Sequence, residues 1–325
     1  MTRARREVVS LDDTPYYHCI SRCVRRAFLC GFDRYAGKDY SHRRDWVRNR
    51  LIELTKVFAV DVCAYAILSN HYHLVLRIDR DRAQSWSDEA VIRRWTRLFQ
   101  VPEVVKLAQR QDSPQAVREA SRNWIETART RLHDVSWFMR CLNEHLARRA
   151  NAEDGCKGRF WEGRFKSQAL LDEAGLLTCM AYVDLNPIRA GMAESPEASD
   201  FTSIQQRIRE ITGRPIDAAV PLRALAPDRR SALPFSLKDY LLLVDWTGRA
   251  IRDNKRGAIP EQLPPILTRL NIEPGHWLRH MGKRRHRFYH AVGRVQALRN
   301  LAERAGRHWL QGMTSSERLF RQSIA

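Results

Sequence analysis

The stretch VDVCAYAILSNHYHLVLRI, residues 60–78, decides the fold. It holds two runs rich in β-branched, aromatic and aliphatic residues, 60–68 and 72–78, and a short polar segment separates them. Two runs of this kind, joined by a few turn-forming residues, are typical of a β-hairpin. The stretch therefore predicts two neighbouring antiparallel strands.

Strands and helices alternate on both sides of this hairpin. Hydrophobic periodicity predicts, in chain order, a strand, a helix, the hairpin, a helical insertion, a helix, a strand and a final helix, at residues 15–24, 43–58, 60–78, 80–132, 134–150, 164–171 and 173–186. Asp172 stands where it can cap the final helix. Two β-α-β halves of this kind form a four-stranded antiparallel sheet. We therefore expect an α+β, ferredoxin-like fold with helices on one face.

The length of the chain indicates more than one domain. Its 325 residues, 44% of them hydrophobic, are enough for two packed cores. Prolines punctuate residues 213–234, and this pattern is typical of a linker. We therefore expect a first domain over residues 1–212, which includes the insertion, and an all-helical basic domain over residues 235–325.

The chain is strongly cationic. It has 56 Lys and Arg residues against 37 Asp and Glu, which gives a net charge of +19. Most of these cations are arginine, whose planar guanidinium binds phosphate oxygens in pairs and stacks on bases. Aromatic residues recur inside the basic stretches, so the composition favours a nucleic-acid partner over a merely cationic, soluble surface.

Composition also predicts the compartment. Residues 1–14 carry charge without a following apolar run, and no stretch approaches the roughly 20 apolar residues of a membrane span, so we expect a cytoplasmic protein that makes no membrane contact. The seven cysteines include no C-x-x-C pair, and their odd number argues against a disulfide framework. Cys19, Cys23 and Cys30 lack zinc-finger spacing, so we interpret most cysteines as buried thiols.

Two histidines share one face of the second hairpin strand. Alternate residues of a strand point to the same side, so His71 and His73 lie on one face while Tyr72, Leu74 and Leu76 lie on the other and meet the core. One divalent ion can bridge two imidazoles presented in this way. A pair of solvent-facing or hydrogen-bonded histidines explains the same pattern, so a metal site needs a third ligand.

The predicted helix 173–186 offers such a ligand. Thr178, Tyr182 and Asn186 are four residues apart and line one face of the helix. Tyr182 and Asn186 are therefore neighbours. On composition alone, a core aromatic with its hydroxyl at the rim is the better explanation of Tyr182.

Three segments together resemble a known family. YYHCISR (16–22), SNHYHLVLRI (69–78) and GRFWEGRFKSQALLDEAGLLTCMAYVDLNPIRAGM (158–192) are similar to HUH single-tyrosine transposases, above all to REP-associated tyrosine transposases. The family patterns are N-H-x-H-L, G-x-F-W-x-x-R-F and Y-x-x-x-N-P-x-x-A-G. Here they are matched by Asn70, His71, His73 and Leu74, by Gly158, Phe160, Trp161, Arg164 and Phe165, and by Tyr182, Asn186, Pro187, Ala190 and Gly191.

The resemblance covers about residues 14–195 and is interrupted by the insertion at 80–132. The last third of the chain lies outside it. Tyr72 stands where the family usually has an aliphatic residue, and it still fits an inward-facing strand position. The insertion and the C-terminal helices are departures that can alter the choice of substrate.

The resemblance implies an enzyme that nicks single-stranded DNA and transfers the strand. In such an enzyme His71, His73 and Asn186 would bind Mg²⁺ or Mn²⁺ to polarise the scissile phosphate, and Tyr182 would attack it. The products would be a 5′-phosphotyrosine and a free 3′-OH, and the stored phosphodiester energy allows rejoining without ATP. A phenol with a reference pKa near 10 needs help from the metal, an arginine or a proton acceptor. The sequence does not identify that acceptor.

Five residues close to these patterns are candidates for DNA contact, because single strands expose base faces and edges that suit arginine and aromatic side chains. They are Arg22, Arg159, Trp161, Arg164 and Lys166. A structural cation or a core aromatic explains each of them equally well. The expected partner is single-stranded or hairpin DNA, and a homodimer is one expected state because the family includes both dimers and monomers.

Other functions suit parts of the same pattern. A non-catalytic DNA-binding repressor or tether would keep the scaffold, although the intact Tyr182, His71, His73 and Asn186 favour an enzyme. Rolling-circle initiators and relaxases often carry a lysine four positions after the nucleophile, where this chain has Asn186. General RNA binding would not depend on the metal ligands.

The C-terminal part has its densest cations in HWLRHMGKRRHRFYH, residues 276–290. His276 and His280 are four residues apart, but the residues between them supply no glutamate for a metal-binding H-E-x-x-H. We therefore interpret this part as DNA-contacting helices, with a solvated basic helix as the alternative.

Overall fold

The computed structural model describes residues 9–24, 28–34, 37–229, 231–251, 264–282 and 289–320. Its strands are β1 (Tyr16–Arg22), β2 (Phe32–Asp33), β3 (Lys38–Asp39), β4 (Val60–Ile67), β5 (His71–Ile78), β6 (Lys166–Leu170) and β7 (Ala291–Val292). Its helices are α1 (Arg43–Val57), α2 (Arg80–Gln84), α3 (Asp88–Trp95), α4 (Glu103–Leu107), α5 (Gln115–Arg131), α6 (Val135–Glu153), α7 (Glu173–Asp184), α8 (Asn186–Arg189), α9 (Ser203–Thr212), α10 (Leu237–Ala250), α11 (Pro265–Arg269), α12 (Pro274–Met281), α13 (Val295–Arg304) and α14 (Met313–Leu319). Part of the basic stretch, 283–288, lies outside the described residues.

A five-stranded sheet forms the centre of an α+β fold. Its strand order is β4-β5-β1-β6-β7, in which the first four strands are antiparallel neighbours and β7 pairs in parallel with β6. The predicted hairpin corresponds to β4 and β5, with Tyr65 opposite Leu74. The prediction of four strands is wrong, because the sheet has a fifth strand, β7. β7 has only two residues, too few to show a periodic pattern in the sequence. β2 and β3 pair with each other in a separate ribbon.

Helices cover both faces of the sheet, whereas the sequence predicts helices on one face. Tyr17, Tyr72 and Leu74 point to one side and pack in a core with residues of α1 and α6. Val75 points to the other side and packs in a second core with α7 and α10. The reason lies in β4 and α7. Seven of the eight residues of β4 are buried, so both of its faces need a cover, and α7 is buried almost all round.

The helix predicted over 173–186 ends earlier, at Asp184. Leu185 follows it, and α8 begins at Asn186 with Pro187 in its first turn. Proline has no N–H group for the helical hydrogen-bond ladder, so the ladder is interrupted at this point. Tyr182 and Asn186 therefore belong to two successive helices.

The C-terminal part of the chain packs against α7. Tyr240 of α10 donates a hydrogen bond of 2.5 Å to the carboxylate of Asp184, which also accepts from the Ser203 hydroxyl. The prediction of an all-helical C-terminal part is wrong at β7, which joins the sheet. Within the range 213–234, predicted as a linker, Leu222 lies beside β4 and forms a bridge to Val62.

The insertion predicted at 80–132 contains α2, α3, α4 and α5. Its Trp95 and Ile125 belong to the same core as α1 and α6. The seven cysteines are unpaired, and all except Cys156 are buried. In the part of the chain that the structure describes, no helix has the length and apolar character needed to cross a membrane.

Candidate active site

The sheet face turned towards α7 carries histidines from two neighbouring strands. His71 and His73 of β5 share this face because they are two residues apart. On β1, Ile20 lies opposite His73, so His18, two residues before Ile20, points to the same side. Gln168 of β6 lies opposite His18. Strand alternation thus places polar side chains of three strands in one row.

α7 crosses this face and is buried along most of its length, but beyond its first residue one of its side chains is partly exposed. From residue 174 to residue 188, Tyr182 is the one residue that is not buried. The centre of its ring lies 5.8 Å from that of His73 and 6.2 Å from that of His18. The amide nitrogen of Asn186 lies 3.0 Å from Nε2 of His73. Two predicted site residues, Tyr182 and Asn186, therefore meet a third, His73.

The two histidines of β5 lie beside each other, with ring centres 4.9 Å apart. Nδ1 of His71 lies 2.6 Å from the side-chain oxygen of Asn70, and Nδ1 of His73 lies 2.9 Å from Nε2 of His18. Because both rings are held through Nδ1, their Nε2 atoms are the positions from which a metal would be bound.

Burial keeps these imidazoles neutral. It lowers the pKa of His18 to about 4. Burial, with a smaller effect of the cationic Arg22, lowers the pKa of His71 to about 4. Burial also lowers the pKa of His73 well below its ordinary value. The neutral ring is the form that coordinates a metal ion.

The donors fit a metal ion that also takes ligands from outside the protein. Among the residues that the structure describes, no group of three or more His, Cys, Asp and Glu side chains could together hold a metal. The fitting set is two imidazole nitrogens and the amide of Asn186, whose oxygen can take the place of its nitrogen by a half-turn. Three protein ligands leave positions for water or substrate oxygens, as in catalytic sites.

An arginine that the sequence analysis did not select lies beside Tyr182. The guanidinium carbon of Arg189 is 4.4 Å from the centre of the tyrosine ring, and its Nε donates to the carbonyl of Met281 at 2.6 Å. Arg189 follows Tyr182 by seven residues, which is two helical turns. That spacing is the signal that could have identified it.

A cavity of about 840 Å³ opens between this sheet face and the helices. His71, His73, Tyr182 and Asn186 all line it. Among the described residues, its walls carry one carboxylate, Glu162, against four cations, Arg22, Arg164, Lys166 and Arg189. The cavity therefore suits an anionic ligand.

Three of the five predicted DNA contacts line the cavity, and two do not. Arg22, Arg164 and Lys166 line the cavity. Arg159 is exposed, and it is not part of the cavity lining. Trp161 is only 9% exposed, and its indole N–H donates to the carbonyl of Asn143 at 2.9 Å. The position of Trp161 is that of a core residue.

The C-terminal part completes the cavity wall with His280 and Tyr289. The side-chain nitrogen of Gln168 donates to the carbonyl of Tyr289 at 2.9 Å. β7 follows directly and lies so close to α7 that a Cβ added at Gly175 would be 2.6 Å from the Val292 carbonyl oxygen. No sequence pattern indicates these contacts, since they depend on how the last third of the chain packs.

No protein-family model matches the chain, and comparison with curated proteins finds no relative. Among solved structures, the chain is similar to a REP-associated tyrosine transposase bound to a REP hairpin. The identity is 12% and the TM-score 0.38, over 71% of this chain and 97% of the other. The similarity is distant.

Proposed function

We propose that the chain is a metal-dependent, transposase-like enzyme that nicks single-stranded or hairpin DNA and rejoins it through a 5′-phosphotyrosine on Tyr182. The observation that carries the proposal is the placement of Tyr182. It is the one residue from 174 to 188 that is not buried, and it meets His73 at the wall of the cavity. Tyr182 packs against the core beside α7 on one side and lines the cavity on the other.

The size and charge of the cavity support a nucleic-acid substrate. About 840 Å³ lies within the range of ligand sites and is room for a phosphate with its adjoining nucleoside. Arg22, Arg164 and Lys166 line its wall, where phosphate oxygens would be paired with cations.

In the proposed reaction, the phenol oxygen of Tyr182 attacks the scissile phosphorus. A bond forms between phosphorus and tyrosine while the bond to the 3′-oxygen breaks, and the phenol proton is transferred overall to the departing 3′-oxygen. The phosphotyrosine keeps the phosphodiester energy, so a second 3′-OH can reverse the step on another strand. Arg189 would hold the phenol in place by its contact with the ring.

We assign His71, His73 and Asn186 as the residues that would hold Mg²⁺ or Mn²⁺. Such an ion, when bound, supplies Lewis-acid stabilisation of the charge on the phosphate oxygens. The neutral state of the two imidazoles, which burial maintains, supports this assignment.

Adduct formation tests the proposal directly. The full chain is incubated with Mn²⁺ and a panel of 3′-end-labelled, hairpin-bearing single strands, and denaturing gels detect protein covalently bound to the 5′-phosphate end at a nick. We expect an adduct with the wild type and none with Tyr182→Phe. Tyr289→Phe, which alters the other tyrosine of the cavity wall, is the matched control and should still form the adduct. Hairpin binding without any Tyr182-dependent adduct would instead support a repressor or tether.

A further inference from the structure

A row of hydrogen-bonded groups along the cavity wall crosses three strands. The side-chain nitrogen of Gln168 donates to the carbonyl of Tyr289 at 2.9 Å, and its oxygen lies 3.4 Å from Nδ1 of His18. Nε2 of His18 lies 2.9 Å from Nδ1 of His73. Nε2 of His73 lies 3.0 Å from the amide nitrogen of Asn186. The row thus links the C-terminal part of the chain to the proposed metal ligands.

The backbone carbonyl at one end sets the direction of each hydrogen bond. A carbonyl can only accept, so Gln168 turns its NH₂ group to Tyr289 and its oxygen to His18. That oxygen also only accepts, so neutral His18 carries its proton on Nδ1. Nε2 of His18 must then accept a hydrogen bond, and Nδ1–H of His73 donates it.

The placement of Asn186 at the other end of the row is compatible with the same direction. The contact between Gln168 and His18 is long for a hydrogen bond, at 3.4 Å. As placed, the amide nitrogen of Asn186 can only donate, and Nε2 of His73 must therefore accept. A neutral His73 with an accepting Nε2 carries its proton on Nδ1, which agrees with the assignment from the first end.

We infer that His18, held by Gln168, is a positioning residue that fixes the tautomer of His73, so that the lone pair of Nε2 is directed to the metal position. This inference rests on the proposed function, in which His73 is a metal ligand. Hydrogen bonds to the outer nitrogen of a ligating histidine orient its ring and increase its basicity. Neither His18 nor Gln168 takes part in the steps of the proposed reaction.

Burial makes the contact between the two histidines decisive. His18 and His73 are each 2% exposed, so little of either side chain is accessible to water. Their rings are stacked, with centres 5.1 Å apart and planes inclined by 17°.

Metal titration of two variants of the full chain tests the inference. Mn²⁺ is titrated calorimetrically into metal-free wild type, His18→Phe and His18→Gln. Phenylalanine keeps an aromatic ring but cannot accept from His73, and we expect Mn²⁺ affinity to fall about 10-fold to 100-fold. Glutamine can place an amide oxygen near the position of Nε2 and should retain most of the affinity. Equal affinities of His18→Phe and wild type would overturn the inference.

The tautomer itself can be measured without any variant or metal. Nitrogen-15 spectra of the metal-free wild type at neutral pH should show His73 protonated on Nδ1 and unprotonated on Nε2. The opposite tautomer would overturn the inference even if both variants failed to fold. The adduct on Tyr182 reports separately on the proposed function. An adduct together with the opposite tautomer rejects the inference alone, and the expected tautomer without an adduct rejects the proposed function alone.

Discussion

The guanidinium group of Arg189 lies 4.4 Å from the centre of the Tyr182 ring. Its Nε donates to the carbonyl of Met281, the last residue of α12, so the C-terminal part of the chain holds the cation against the tyrosine. A cation over an aromatic ring contributes about 0.5–2 kcal/mol. The orientation of the proposed nucleophile thus depends on a contact with a distant part of the sequence.

Replacing Arg189 should slow adduct formation. We expect Arg189→Ala to reduce the single-turnover rate at saturating Mn²⁺ about 10-fold, because about 1.4 kcal/mol of orienting contact is lost. Arg189→Lys keeps the charge but loses the Nε contact, so its rate should lie between those of the wild type and Arg189→Ala. Arg249→Ala, which removes an exposed cation of α10, is the control for net charge. An Arg189→Ala rate equal to that of Arg249→Ala would contradict the positioning role.

Removing the metal should stop the chemistry but not the binding. We expect EDTA to abolish the adduct while hairpin binding in gel-shift assays persists, since the cavity cations remain. Mn²⁺ should restore activity at lower concentration than Mg²⁺, because imidazole nitrogen suits the softer ion better. His71→Ala should need more Mn²⁺ than the wild type for the same rate. Full activity in EDTA would exclude the assigned metal role.

The salt dependence of binding should separate cavity cations from other surface cations. Each phosphate contact adds about 0.7 to the slope of log affinity against log salt on single strands. Arg164→Ala, in the cavity wall, should therefore reduce that slope by about 0.7. Arg159→Ala removes the same charge outside the cavity lining and should leave the slope unchanged. Equal slopes for the two variants would place the DNA elsewhere.

Gly175 tests the close packing of β7 on α7. Alanine normally stabilises a helix interior relative to glycine by about 1 kcal/mol. Here the new Cβ would lie 2.6 Å from the Val292 carbonyl oxygen, a backbone atom that cannot turn aside. We therefore expect Gly175→Ala to lower the free energy of unfolding by about 1–3 kcal/mol in urea titrations. Gly158→Ala, whose Cβ would meet nothing within 4 Å, is the control. Stabilisation by Gly175→Ala would refute the packing.

Asp184 should make stability fall as pH rises between about 4 and 6. Burial raises the pKa of Asp184 from 3.8 to about 6, so the folded chain binds a proton that the unfolded chain has released. This contribution is complete below pH 3.8 and is lost as pH rises through about 6, with a size on the order of 3 kcal/mol. We expect the difference in unfolding free energy, wild type minus Asp184→Asn, to decrease over the same pH range. A difference that is constant from pH 4 to 7 would contradict it. Asp245→Asn, which removes a carboxylate of α10 whose side chain is 41% exposed, is the control.

Strand alternation and helical spacing predict which side chains come together at the centre of the candidate site. His71 and His73 share a face because alternation is a local property, and Tyr182 and Asn186 both reach His73 although Pro187 divides the predicted helix. Residues 60–78 form the expected hairpin for the same reason.

What the sequence does not predict depends on contacts between distant segments. His18 becomes part of the site through the register of β1 on β5, and a register is not visible in either strand alone. Tyr289 reaches the cavity through β7, whose two residues carry no periodic signal. Trp161 matches the family pattern, yet its indole N–H is bonded to Asn143, because a motif does not state which of its residues serve the core.

Later segments of the chain cover both edges of the sheet. At one edge β7 pairs with β6, and at the other Val62 and Ala66 of β4 form bridges to Leu222 and Thr202. Exposed edge strands recruit strands of other molecules and promote aggregation. During synthesis the four long strands leave the ribosome before Thr202, Leu222 and β7 can cover the edges of the sheet. The nascent chain therefore exposes strand edges that the folded chain covers.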